Sequence, residues 1–137
     1  MIEFTEKTLH YHKMSKSYVG KYYYAYYKIY GIVEFLATRT GDIRKRLLLC
    51  SSELAMLDNK YFNYLPEDLQ EELSGIIKEM SKYGEYYNPS FPERRISGSF
   101  ENTLSRIRNS TGEKIAKRIF YIFEELTNIP NCFEWHD

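Results

Sequence analysis

The aliphatic side chains of this chain fall into three stripes with helical spacing. Ile43, Leu47, Cys50, Leu54 and Leu57 recur at steps of three and four. Leu69, Leu73, Ile76, Ile77 and Met80 form a second stripe, and Ile115, Ile119, Ile122 and Leu126 a third, widened by Ala116, Phe120 and Phe123. Steps of three and four keep side chains on one face of a rod with 3.6 residues per turn, so each stretch predicts an amphipathic helix. The residues between the stripes are charged or amidic, for example Gln70, Glu71, Glu72, Lys78 and Glu79, which predicts a wet opposite face.

Local signals mark where these helices begin and end. Thr40 can cap the first, and Asp42 places a carboxylate where the free amides point; an end is expected near Asp58-Asn59. Leu65-Pro66-Glu67-Asp68 opens the second, with proline fitting the first helical position and acids in the first turn, and Gly84 is a stop. Ser110-Thr111-Gly112-Glu113 matches a capping box for the third, which Thr127-Asn128-Ile129-Pro130 ends.

The remaining stretches are weaker. Positions 18, 22, 25, 29, 32, 33 and 36 line one face of a further helix over Tyr18–Leu36, but its tyrosines favour strands and Gly20 and Gly31 weaken a helix. A Tyr-rich hairpin therefore competes with a helix there. Residues 1–17 read as a polar arm in which Ile2 and Phe4 alternate with Glu3 and Thr5, the pattern of a short strand. Residues 84–98, punctuated by Gly84, Pro89, Pro92 and Gly98, read as one long loop. Phe100, Leu104 and Ile107 suggest a short helix, and residues 128–137 a tail whose Phe133 and Trp135 dock on the domain. The architecture expected is a single mainly α domain over 1–137: a compact bundle of four to five helices around one core, with a small N-terminal strand or hairpin left open.

Composition narrows the function classes. A chain of 137 residues that is 43% apolar and 28% charged is long enough for one core and is not disordered by composition. Nineteen acids balance nineteen bases, so nucleic-acid binding would need a local patch. The N-terminus lacks a basic stretch followed by an apolar one, and no apolar run approaches the roughly 18 residues of a membrane span, so the expected location is the cytoplasm. Cys50 reads as a core thiol.

Candidate chemistry is sparse. No Gly-rich phosphate loop, Gly-x-Ser-x-Gly elbow, His-Glu-x-x-His or Cys-x-x-Cys occurs, and sequence-adjacent carboxylates such as Glu71/Glu72 and Glu124/Glu125 point about 100° apart on a helix. No catalytic residue, small-molecule substrate or cofactor is therefore assigned. Zinc is a low-ranked alternative: His10, His12, Cys132 and His136 supply four ligands of suitable type from the two ends.

Two surfaces invite partners. The first is the 84–98 segment with Tyr86, Tyr87, Phe91, Arg94 and Arg95, residue types that carry interface energy. The second is basic. Arg39, Arg44, Lys45 and Arg46 surround one helix start, and Arg106, Arg108, Lys114, Lys117 and Arg118 surround another. Cations at helix starts oppose the dipole and hint at an anion, and the two helices meeting at Asn109-Ser110-Thr111 are helix-turn-helix-like. Against that reading, the helix after 112 is apolar round most of its girth. The expectation ranked first is a non-enzymatic interaction protein (an adaptor, small subunit or inhibitor) that binds a protein partner or itself, including through the Tyr18–Tyr30 segment. A nucleic-acid-binding regulator using residues 94–118 ranks second, and an enzyme with a dispersed site last.

Overall fold

The computed structural model describes residues 22–129. Five α-helices and one two-stranded antiparallel ribbon are seen there: α1 (Tyr23–Thr38), α2 (Ile43–Lys60), a 3-10 turn (Phe62–Tyr64), α3 (Glu67–Met80), β1 (Tyr86–Asn88), β2 (Phe91–Ser97), α4 (Ser99–Arg106) and α5 (Asn109–Thr127). The fold is mainly α, as the stripes require. The expected strand at Ile2–Phe4 and the docked tail with Phe133 and Trp135 lie outside the described residues.

All three stripes turn inward, save Phe120 at the edge of the third, which is 47% exposed. Ile43, Leu47, Cys50, Leu54 and Leu57 of α2, Leu69, Leu73, Ile76 and Met80 of α3, and Ile115, Ile119, Ile122 and Leu126 of α5 are buried in one cluster. Helix α2 packs on α1, α3, α4 and α5, and α5 packs on α1 and α3, so these two rods form the centre. The Tyr-rich segment is helical from Tyr23 onward, and Ala25, Ile29, Ile32 and Leu36 seal the core on the spacing of its predicted face. Tyrosine's strand preference loses because those four aliphatic side chains can share one face only at a period of 3.6. Tyr23 is buried, and the other rings go to the rim: Tyr24 stacks on Tyr61 with centroids 5.5 Å apart, and Tyr26 stacks on Phe123 at 5.7 Å.

Several boundaries differ from the local signals. At the start of α2 the cap is Asp42, not Thr40; its carboxylate accepts the amides of Arg44 at 2.9 Å and Lys45 at 3.2 Å. Pro66 is the residue before α3, and its carbonyl accepts from Leu69 and Gln70; α3 ends at Met80, with Gly84 four residues later. The capping box at Ser110–Glu113 does not form. Helix α5 already begins at Asn109, where Gly112's amide donates to the Arg108 carbonyl at 3.0 Å, so Ser110 sits inside the first turn and Glu113 just beyond it. Arg108 takes the position before the helix, so Ser110 is already helical and is not the cap.

The Asp42 cap gives a pH prediction. The Arg44 guanidinium first, and then the Lys45 amide, hold this carboxyl below its ordinary value. A depressed folded-state value means stability that is fully present above the ordinary carboxylate range and lost as pH falls from there through the lower folded-state value. Asp42→Asn keeps the acceptor oxygen but not the titration. Below about pH 4 the unfolding midpoint of the native sequence is expected to fall more steeply than that of Asp42→Asn. Parallel curves measured by circular dichroism would refute this role for the cap.

Candidate functional site

The 84–98 segment, read from sequence as a loop, is a β-hairpin. Asn88 Oδ1 accepts the Ser90 amide at 2.8 Å and tightens the Asn88-Pro89-Ser90 turn, the Asx geometry that reverses a chain. The Pro and Gly residues that suggested a loop occupy the turn, the bracketing positions and one unpaired position in β2. Tyr86 pairs with Ser97, Tyr87 with Arg95 and Asn88 with Phe91, with register shifts between successive pairs. Seven residues of β2 thus face three of β1, and much of β2 has no partner strand.

The ribbon stands away from the core. Phe91 is 56% exposed and Ile96 54%, while Tyr86, Tyr87, Arg94 and Arg95 are exposed as well. An isolated two-stranded ribbon is marginally stable in water, so its foot has to be fixed, and α4 does that. Thr103, wholly buried, accepts the Tyr83 amide on its hydroxyl at 3.0 Å. Asn102, also buried, donates its amide to the carbonyls of Gly84 at 3.0 Å and Tyr83 at 3.4 Å. Gly84 has φ +67°, a left-handed conformation that directs the chain into β1. Above this clamp Arg106 lies 5.5 Å from the Tyr83 ring centre and 6.0 Å from that of Tyr86, and Arg95 pairs with Glu85 at 3.0 Å. These cation–π contacts hold the strand entry while leaving the rings exposed. Asn102 and Thr103 have no distinguishing sequence signal: they look like the wet face of a short helix.

The basic residues separate into several places. Arg44 and Arg46 do not form an anion-facing field. Arg44 Nη1 donates to the Ile107 carbonyl at 3.0 Å, at the C-terminal end of α4, and Arg46 Nη1 donates to the Leu36 carbonyl near the end of α1. Their charge, unfavourable at the start of α2, is favourable at the ends of two neighbouring helices. Arg39 lies over the Phe35 ring at 5.0 Å. Arg118 pairs with Glu72 at 2.6 Å. Lys45, Arg108, Lys114 and Lys117 are exposed, and Lys117 shares a shallow cleft with Asp42, Arg46, Asn109 and Glu113 where the starts of α2 and α5 meet. The acids gather at the far end of α5: the charge of Glu125, loss of hydration, and then the charges of Asp68 and Glu72 raise the Tyr121 phenol.

Metal and nucleophile chemistry can be placed briefly. His10, His12, Cys132 and His136 lie outside the described residues, and among the described residues no three His, Cys, Asp or Glu side chains converge to hold an ion. Burial pushes the Cys50 thiol up to about 12, and its Sγ donates to the Leu47 carbonyl, so it is a protonated core group. Among the described residues no helix is long and apolar enough to cross a membrane. No family model, curated protein or solved structure matches this chain.

Proposed function

We propose that the chain is a non-enzymatic interaction protein that engages a protein partner through the β1–β2 hairpin. The observation that carries the reading is a projecting ribbon whose Tyr87, Phe91 and Ile96 are exposed while a buried polar clamp fixes its foot. Large apolar side chains in water on a rigid mount are the composition of an interface hot spot before its partner arrives. Arg94 and Arg95 beside them supply the charge-bearing rim. The nucleic-acid reading is weaker, because Arg106 and Arg118 of the 94–118 segment, like Arg44 and Arg46 of the second basic cluster, already have internal partners, and α5 buries Ile115, Ile119 and Ile122.

The test is affinity capture from the native cell with the full chain and with a Tyr87→Ser/Phe91→Ser/Ile96→Thr variant, with and without nuclease. The expected result is a partner, unaffected by nuclease, whose affinity drops by roughly thirtyfold or more in the variant, since hot-spot losses of about 2 kcal/mol correspond to that factor. The variant's circular dichroism should stay unchanged, because none of the three side chains is in the core. Equal capture by both chains would remove the hairpin from the interface. Capture abolished by nuclease would replace the protein partner with nucleic acid.

A further inference from the structure

Among the described residues a second apolar surface, a groove between α1 and α2, runs beside the core stripe of α2. The groove, of about 390 Å³, is lined on α1 by residues that include Lys28, Tyr30 and Gly31 and on α2 by residues that include Leu49, Cys50 and Glu53. Gly31 keeps it open, since nothing lies within 4 Å of where its Cβ would stand. Leu49 at the rim is 56% exposed, and Met56, two helical turns further along α2, is 44% exposed. The two walls carry opposite charges: Lys28 on α1 and Glu53 on α2. Neither is in an ion pair among the described residues; Lys28 lies only over the Tyr27 and Tyr61 rings, at 5.9 Å and 5.8 Å.

We propose that this groove is a self-association face, on which a second copy of the chain docks about a two-fold axis. An isologous interface needs one patch that complements itself. A patch with an apolar floor, one unpaired cation on one wall and one unpaired anion on the other meets that need: the axis sets Lys28 of each copy against Glu53 of the other, and Leu49 and Met56 are covered between them. The charges then select the two-fold arrangement, and the apolar area supplies the affinity. This face is separate from the hairpin, so a dimer would present two ribbons at once and raise avidity for any repeated partner.

The experiment uses the full chain in sedimentation equilibrium from about 5 μM to about 0.5 mM, a span that captures weak to ordinary interfaces. The native sequence is expected to approach twice the 16.4 kDa chain mass. Lys28→Glu alone and Glu53→Lys alone each place like charges opposite one another at both pairs, and each is expected to weaken dimerisation by about tenfold or more. Mixed in equal amounts, the two variants regain opposite charges at both pairs, so a heterodimer of near-native affinity is expected. Recovery on mixing also shows that the single variants are folded. A native chain that stays monomeric throughout would overturn the proposal. So would single variants that dimerise as well as the native chain, or weakened variants that do not recover on mixing.

Discussion

Gly112→Ala is expected to destabilise the fold by about 1–2 kcal/mol, whereas Gly75→Ala is expected to leave stability unchanged or raise it by up to about 1 kcal/mol. Both glycines are inside helices, where alanine is the better helix former by about 1 kcal/mol. What differs is the neighbour. A Cβ on Gly112 would stand 2.9 Å from Ile43 Cγ2, 3.4 Å from Arg44 Cγ and 3.7 Å from Leu47 Cδ1. Ile43 is buried and β-branched, so its methyl has no other well to enter. The starts of α2 and α5 must separate instead, which exposes the surface they share. A Cβ on Gly75 would meet the Arg118 guanidinium at 2.7 Å, the far end of a flexible side chain. That group can swing away at the expense of its half-exposed pair with Glu72, a contact of at most about 1 kcal/mol. Urea unfolding of the two variants decides the point. If Gly112→Ala matches or exceeds the native midpoint with an unchanged m-value, α2 and α5 are not in close contact there.

The legible parts of this fold are those that depend on one helix's own periodicity. Leu47, Leu54, Leu73, Ile76, Ile119 and Ile122 are fully buried because each stripe of large aliphatic residues can leave water only on one side of its rod. The hairpin was hidden for a corresponding reason. A ribbon with register shifts after each of its few pairs has no steady period of two to read, and Pro92 within β2 resembles a loop signal. Tyr86, Tyr87, Phe91, Arg94 and Arg95 are legible in the sequence as a cluster of residue types common at interfaces, but the mounting of their hairpin is not. The basic residues show the opposite failure. Sequence fixes the sign of Arg44 and Arg46 and their awkward place in the helix dipole, yet the carbonyls of Ile107 and Leu36 that receive them are supplied by other helices. Local signals also lose when a tertiary contact competes: Ser110 offers a cap, but Asn109 is already helical and Gly112 is pressed against α2.

Breaking the clamp on α4 is expected to release the hairpin without unfolding the bundle. Asn102→Ala strips donors from the carbonyls of Tyr83 and Gly84, and Thr103→Val removes the acceptor of the Tyr83 amide while keeping the side chain's shape. Each leaves partly buried backbone groups without partners, which costs about 1–3 kcal/mol apiece. The two residues are adjacent and hold the same turn, so the double variant is expected to lose less than the sum, about 2–4 kcal/mol. Hydrogen exchange would show where the loss falls. Amides over 83–98 should exchange much faster, while those of α2, α3 and α5 keep their protection, because their core contacts do not pass through the ribbon. Thr103→Ser restores the hydroxyl and should recover most of the Tyr83 protection, which separates the hydrogen bond from the packing of the lost methyl. Since neither residue is exposed, any fall in partner capture by the double variant must act through the position of Tyr87, Phe91 and Ile96. A ribbon that keeps its native protection without Asn102 and Thr103 would mean that Arg106 against Tyr83 and Tyr86 holds the strand entry alone.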